Sequence, residues 1–405
     1  MERPKILLVT PIPYDSGAGF WDRDSALLID PLKNLGFDAH LVALGALRDS
    51  QDSGRPLILV DRTDLENVDW WRNQNPWAVF FLGWALIEFN QIRRSVLSVT
   101  PRLIERLDTD GNKISRLDPF YTATNLTSKY QKLLPYGCKF AAAPLAVLKT
   151  TARCLFKSLG DESVIESMSL ARCVAAESPL AVVRTVRGCG LFKYPLPKVV
   201  LFEHPIDVSL MGKPGEHRKD NLFVSVGRWD DPKKNPKLLL GISRKLLALH
   251  PDWKIRIVGR STPWFRKEAE AILNVHGSRF IHDETLTRPE IAELFSRAKI
   301  CVTTSLHESF SNSMSEALCC GATVVGWQQM AGMHYLASLG LGTMATSLTS
   351  GSFIDALALE VTAWNSGVRD SRRTSEHWQS RVSNHELAAR LIGIFNALEG
   401  RSGEN

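Results

Sequence analysis

The sequence predicts an α/β protein made of two successive doubly wound halves, each a parallel sheet covered by helices. Three observations lead there. Strand-length apolar runs alternate with helix-length amphipathic runs along the whole chain, with no repeats and no low-complexity tract. The 405 residues exceed what one core usually holds. The alternation is interrupted once, by Glu203 to Asp207 and the polar stretch Gly212 to Asp220, and then restarts.

In the first half, Lys5 to Thr10 reads as a buried strand, followed by a loop, Pro11 to Phe20, that contains Gly17 and Gly19. A helix through Leu27, Leu28, Leu32 and Leu35 leads to a strand at Ala39 to Val42. Further strands are expected at Trp77 to Leu82, Arg102 to Leu107, Cys173 to Ala176 and Val199 to Phe202. In the second half, strands at Leu222 to Val226, Lys254 to Val258 and Arg279 to Ile281 are separated by helices at Pro236 to Leu249 and Phe265 to Val275. A helix at Pro289 to Arg297 precedes the strand Ile300 to Thr304, the helix Met314 to Cys320 and the strand Ala322 to Val325. Phe353 to Trp364 and Glu386 to Leu398 are the terminal helices, with Val368 to Glu376 expected as a charged turn. The expected domains are 1–205, 206–375, and a C-terminal helix, 376–405, packing back toward the first domain.

Composition narrows the function classes. A hydrophobic fraction of 44% and a charged fraction of 23% belong to a globular protein and exclude a disordered one. The most apolar stretch, Trp77 to Ile87, is about half the ~20 residues a membrane-spanning helix needs. The first residues lack a signal-peptide pattern, since their apolar run is strand-length and a polar loop follows. The cysteines at 138, 154, 173, 189, 301, 319 and 320 have no metal-ligand spacing, which favours reduced thiols and a cytoplasmic setting. No nucleic-acid partner is expected.

Charge is distributed unevenly. Residues 112–200 hold thirteen Lys or Arg and five Asp or Glu, whereas the whole chain is only +6. From Pro119 to Gly160 there are six basic residues and no acidic one. Within it Leu145, Leu148, Ala152, Leu155, Phe156 and Leu159 share one helical face, flanked by Lys149, Arg153 and Lys157. Two readings stand: a core-facing helix with a solvated basic edge, or a surface in 119–160 that meets anionic lipid or a phosphorylated acceptor. Pro135 and Pro144 exclude one long helix here.

Three places carry chemistry. Glu308 and Glu316 have seven residues between them, at a strand-to-helix junction of the kind where open α/β sheets bind ligands. Backbone N–H groups near Phe310, Ser311 and Asn312 suit phosphate or sugar hydroxyls, and the two carboxylates suit hydroxyl donors. Ser313 to Glu316 also fits a capping box, in which Glu316 only caps its own helix. The second place is Gly227, Arg228, Lys233, Lys234 and Asn235 after a strand, where Arg and Lys can hold a diphosphate; a solvated basic turn is the plainer alternative. The third is the Gly17 and Gly19 loop, which lets backbone approach a ligand but lacks the third glycine of a dinucleotide fingerprint, since position 22 is Asp.

Together these features resemble the family 4 retaining glycosyltransferases of GT-B fold, the glycosyl transferases group 1. The signature is ESFSNSMSEALCCGATVVG with its two glutamates, together with the Gly-Arg and Lys-Asn pairs of GRWDDPKKN. The loop after the first strand, CVAAES and EHPIDVSLM add to it. The resemblance implies two Rossmann-like domains with parallel sheets facing across a cleft, and a nucleoside-diphosphate sugar as donor. It implies that Arg228 and Lys234 bind the diphosphate and that Glu316 takes the ribose hydroxyls. Glu308 with the Ser309 to Asn312 backbone would hold the donor sugar, and Gly17 and Gly19 would close over the phosphates. The GRWDDPKKN run has one residue more than the common spacing, which brings Lys233 in as an alternative to Lys234. The implied reaction is retaining transfer to an acceptor hydroxyl, a saccharide or a lipid-linked one, without a metal or other cofactor.

Asp108 and Asp110 form an Asp-x-Asp run of the sort that chelates Mg or Mn elsewhere, but here read as a turn after a strand. His40 lies on a strand and reads as structural. Trp70, Trp71, Trp77 and Trp84 read as packing, with stacking on an acceptor sugar as the other possibility. A sugar-nucleotide epimerase of similar shape and a non-catalytic nucleotide-binding module are the competing functions.

Overall fold

The computed structural model describes residues 3–14, 21, 24–45, 55–83, 87–107, 127, 130, 135–155, 162–192, 194–211, 218–306, 308 and 310–399. The chain forms two compact units, Met1–Glu203 with Leu387–Asn405, and His204–Glu386.

The first unit contains β1 (Lys5–Pro13), α1 (Ile29–Asn34), β2 (Asp38–Leu44), β3 (Leu57–Val60), α2 (Arg62–Glu66), α3 (Val68–Gln74) and β4 (Ala78–Phe81). It continues with α4 (Asn90–Leu97), β5 (Leu103–Arg106), α5 (Ala142–Leu155), α6 (Glu162–Leu170), β6 (Cys173–Ala176), α7 (Pro179–Phe192) and β7 (Lys198–Leu201). The strands form one parallel sheet in the order β3-β2-β1-β4-β5-β6-β7. Such a sheet is buried on both faces, so its strands are continuous apolar runs whose alternate residues enter different cores. Ile6 and Leu8 pack with α1, whereas Leu7 and Val9 pack with α2, α3 and α4.

The second unit contains β8 (Asp220–Val226), α8 (Pro236–Leu249), β9 (Lys254–Val258), α9 (Pro263–His276), β10 (Phe280–Asp283), α10 (Arg288–Arg297) and β11 (Ala298–Val302). Then come α11 (Asn312–Cys319), β12 (Thr323–Trp327), α12 (Ala331–Ser338), β13 (Gly342–Ala345), α13 (Ser350–Asn365) and α14 (Ser371–Val382). Its parallel sheet runs β10-β9-β8-β11-β12-β13, which makes β8 and β11 neighbours with their carboxyl ends at the same edge. The last helix, α15 (Asn384–Glu399), places Leu387, Ala388, Leu391 and Phe395 in the core of the first unit, against Ile6, Leu8 and Phe80.

The expected α/β class with two parallel sheets is what the structure has. One expectation is corrected. Val368 to Glu376 is not a charged turn, because α14 begins at Ser371. Asp370 caps it by accepting from the Arg373 N–H at 2.7 Å, and Arg372 pairs with Glu376 one turn on at 2.7 Å. A helix anchored by the single large side chain Trp378 shows no apolar stripe, and so read as a turn. Of the two readings left open for 119–160, the core-facing one does not hold for Leu145 and Leu148, which are exposed on α5.

The tryptophans and His40 are structural where described. Trp71 is fully buried and donates to the Leu65 carbonyl, while Trp77 packs on Phe37 and Phe395. His40 sits on β2 against Asp38 at 2.8 Å. Trp84, Asp108 and Asp110 lie outside the described residues. Among the described residues no helix is long and apolar enough to cross a membrane.

Candidate functional site

The second unit assembles its candidate site where β8 and β11 end side by side. After β8 the chain must turn within a crowded edge, and Gly259 makes that possible. At φ +129° it lies against the Gly227 carbonyl, and a Cβ there would stand 1.7 Å from that oxygen. Gly227 donates to the Val258 carbonyl at 3.0 Å, and the N–H groups of Trp229 and Asp230 both reach the Arg260 carbonyl. The Arg228 to Asn235 segment follows, anchored by Trp229, which is buried and stacked on Phe265.

Two hydrogen bonds tie that segment to the loop after β11. The Leu306 N–H donates to the Lys233 carbonyl at 2.8 Å, and the Thr304 hydroxyl donates to the Lys234 carbonyl at 2.7 Å. Lys234 and Glu308 are thereby brought together: Nζ lies 2.8 Å from Oε1 and 3.1 Å from Oε2. Both side chains are only about one-fifth exposed, 21% and 18%. Lys233 points elsewhere, with an exposed side chain and a backbone N–H held by Asp231 at 2.9 Å. Arg228 is 68% exposed and touches Asp231 at 3.4 Å, which leaves its planar donor fork accessible.

The loop continues into α11. Phe310 is buried, stacked on Trp378 with the rings 5.4 Å apart and 7° from parallel. Its side chain is therefore a strut and only its backbone is offered to a ligand. Ser311 is buried too and shares a 2.9 Å contact with the Ser313 hydroxyl. Ser311 is the N-cap of α11 but makes no side-chain capping bond, and the Asn312 Oδ1 has no hydrogen-bond partner. The first-turn N–H groups of α11 thus meet no capping side chain, which suits an anion or a hydroxyl oxygen. Ser309, Gly17 and Gly19 lie outside the described residues.

Glu316 is not a capping residue. Ser313 lies inside α11, and the Glu316 carboxylate instead takes Arg288 Nη2 at 3.3 Å. Burial pushes the Glu316 carboxyl above its usual value, opposed by the Arg288 and His204 charges. Glu308 and Glu316 consequently have separate cationic partners, Lys234 from the segment after β8 and Arg288 from the start of α10.

Arg288 and α14 escaped the sequence reading. Arg288 opens α10, where a capping box of Thr287 and Glu290 fixes its direction, and no spacing links it to position 316. Helix α14 holds the signature loop from behind. Besides stacking on Phe310, Trp378 donates to the Ser315 hydroxyl at 2.8 Å, and Gln379 donates to the Cys319 carbonyl at 2.8 Å. Gly321, at φ +77°, would drive a Cβ to 2.3 Å from Ser371 Oγ, so glycine is required where α14 starts beside it. The neighbouring thiols are packing groups: burial pushes Cys301 and Cys320 up to about 12 and Cys319 well above its usual range. Among the described residues no group of three or more His, Cys, Asp or Glu is placed to hold a metal.

Comparison with known proteins places the same segment. Residues 209–357 match the family model described as glycosyl transferases group 1. Over 94 residues the chain is 34% identical to the tRNA-queuosine alpha-mannosyltransferase of Drosophila melanogaster, a match covering 23% of this chain and 25% of that one. The chain thus spans about a quarter of the length of the curated relative it matches. Among solved structures, Anabaena Alr3699/HepE in complex with UDP and glucose aligns over 98% of this chain and 100% of its own, with TM-score 0.59 and 13% identity. A glycosyltransferase from Rickettsia africae aligns over 99% and 100%, with TM-score 0.64 and 10% identity. At such identities the likeness is one of fold, and that fold is GT-B.

Proposed function

We propose, starting from a second unit that is a glycosyl transferases group 1 domain, that this protein transfers a sugar from a nucleoside-diphosphate donor to an acceptor hydroxyl. The observation that carries the reading is the Lys234–Glu308 contact at the joined carboxyl ends of β8 and β11, inside the matched segment. A half-buried ammonium held by a carboxylate, with an uncapped helix N-terminus in the same loop, is a site prepared for an anion bearing hydroxyls.

In this reading Arg228 grips the diphosphate bidentately and Lys234 neutralises charge as the sugar–phosphate bond breaks. Glu316 accepts the ribose hydroxyls, and Arg288 balances its charge in the buried setting. Glu308 orients Lys234 and meets the sugar hydroxyls, without acting as a covalent nucleophile. The transfer proceeds with retention and without a metal, the departing phosphate taking the acceptor proton. The acceptor is a saccharide or a lipid-linked saccharide of glycan synthesis. Since Alr3699/HepE binds UDP and glucose, UDP and UDP-glucose are the first ligands to try.

The test is a thermal-shift screen of nucleoside diphosphates and their sugars, followed by product analysis with and without acceptor. A bound nucleotide raises the melting temperature by an amount tied to its affinity. Transfer that requires an acceptor supports the proposal; conversion of donor alone to its epimer would replace it with the epimerase reading.

A further inference from the structure

Helix α5 is turned inside out for a core helix. Its small residues Ala142 and Ala146, one turn apart, are fully buried, while Ala143, Pro144, Leu145, Val147, Leu148 and Thr151 are exposed. Leu145 is 43%, Val147 55% and Leu148 68% exposed, and Phe140 in the turn before is 83% exposed. Alanines inward and large aliphatics outward is the reverse of what burial in a water-soluble core produces. A contiguous apolar surface of this kind marks an interaction site.

Charge selects the partner. In the sequence, 119–160 holds six basic residues and no acidic one, and among the described side chains of that stretch Lys149 is exposed beside the aliphatic face. Helix α7 of the same unit repeats the combination, with Val183, Val186 and Arg187 exposed, while Glu177, the one acidic residue between 171 and 202, is buried. Aliphatic side chains flanked by cations and free of anions complement a bilayer surface of anionic lipid: the chains enter the headgroup region and the cations stay with the phosphates. A nucleic acid would use the cations but gain little from Leu145, Val147 and Leu148, because stacking platforms are aromatic or guanidinium. We infer that the outer face of α5 docks the first unit on an anionic membrane surface, independently of the donor chemistry in the second unit.

The test is co-sedimentation of the full chain with phosphatidylcholine vesicles, with and without phosphatidylglycerol. Binding should need the anionic lipid and fall with added salt. Leu145→Ser with Leu148→Ser should weaken it by at least about tenfold, and Lys149→Glu by a smaller factor of about five. Far-UV melting curves check that each variant folds. Should the double variant melt early, Leu148→Trp gives a second reading: a blue-shifted emission with vesicles, quenched by brominated lipid. No binding to anionic vesicles, equal binding of a folded double variant, or an unshifted tryptophan overturns the inference. So does a self-association that the serine substitutions abolish, or binding to tRNA in the absence of any vesicle binding.

Discussion

Both units carry Arg or Lys to Glu pairs near the carboxyl ends of parallel strands, and the two sets differ in exposure. In the first unit, Arg93 binds Glu105 through two hydrogen bonds, of 2.9 and 2.5 Å, and Arg106 binds Glu177 at 3.0 Å. All four side chains have no exposed surface. In the second unit, Lys234–Glu308 and Arg288–Glu316 are each partly open to solvent, the first pair joining the segments after β8 and β11 and the second joining α10 to α11. A sealed pair can only support structure, because opening it strands a charge in a dry interior. A half-open pair can exchange one partner for a ligand at modest cost. On the proposed function, exposure more than residue type separates the structural pairs from those of the donor site.

The comparison is broken most forcefully from the sealed side. Arg93→Ala leaves Glu105 buried without its cation and should cost about 3–5 kcal/mol of stability, read as a fall in the denaturant midpoint. Lys234→Ala should leave the melting temperature nearly unchanged while lowering turnover by about 10²–10³-fold. If the two variants gave the same stability loss, exposure would not be the dividing property.

A smaller effect comes from Glu316. Its carboxyl is raised by burial, so the carboxylate that would accept ribose hydroxyls is lost at a higher pH than for an ordinary glutamate. Nucleotide affinity should therefore decline as the pH is lowered from neutral, before ordinary carboxylates protonate. Arg288→Ala removes a charge that lowers this pKa and should shift the decline to still higher pH, measured as dissociation constants across that range. A decline that Arg288→Ala leaves in place would show that Arg288 does not balance Glu316. Smallest of all should be Lys233→Ala, whose exposed side chain faces away from Glu308: nucleotide affinity within about twofold of the parent chain is expected, because a lone exposed charge contributes little.

How much was legible follows from what each element uses as its signal. Buried parallel strands announce themselves as apolar runs, and β1, β6, β8 and β9 stand close to where their sequences put them. The strand β13, Gly-Thr-Met-Ala, lacks an apolar run, and the short polar helices α2 and α3 carry too little periodic pattern to be read, whereas β3 is an apolar run like β6 and was missed. Glu308 and Lys234 were legible as types after strands, but their contact depends on β8 lying next to β11, a property of sheet order. Arg288 was hidden because its pairing with Glu316 joins two helices, and no sequence spacing encodes that contact. Trp378 was hidden because a helix anchored by one tryptophan has no stripe, although it holds Phe310 and Ser315 in place.

On the proposed function, the joined ends of β8 and β11 form the nucleotide end of a sugar-donor site. Calorimetric titration of the stabilising nucleoside diphosphate, UDP first, into the parent chain and into Arg228→Ala and Glu316→Ala tests it most directly. Such a site should give measurable binding by the parent chain and a loss of at least about tenfold in each variant, the scale of one charge-assisted contact. Parent-like affinity in both variants would contradict it.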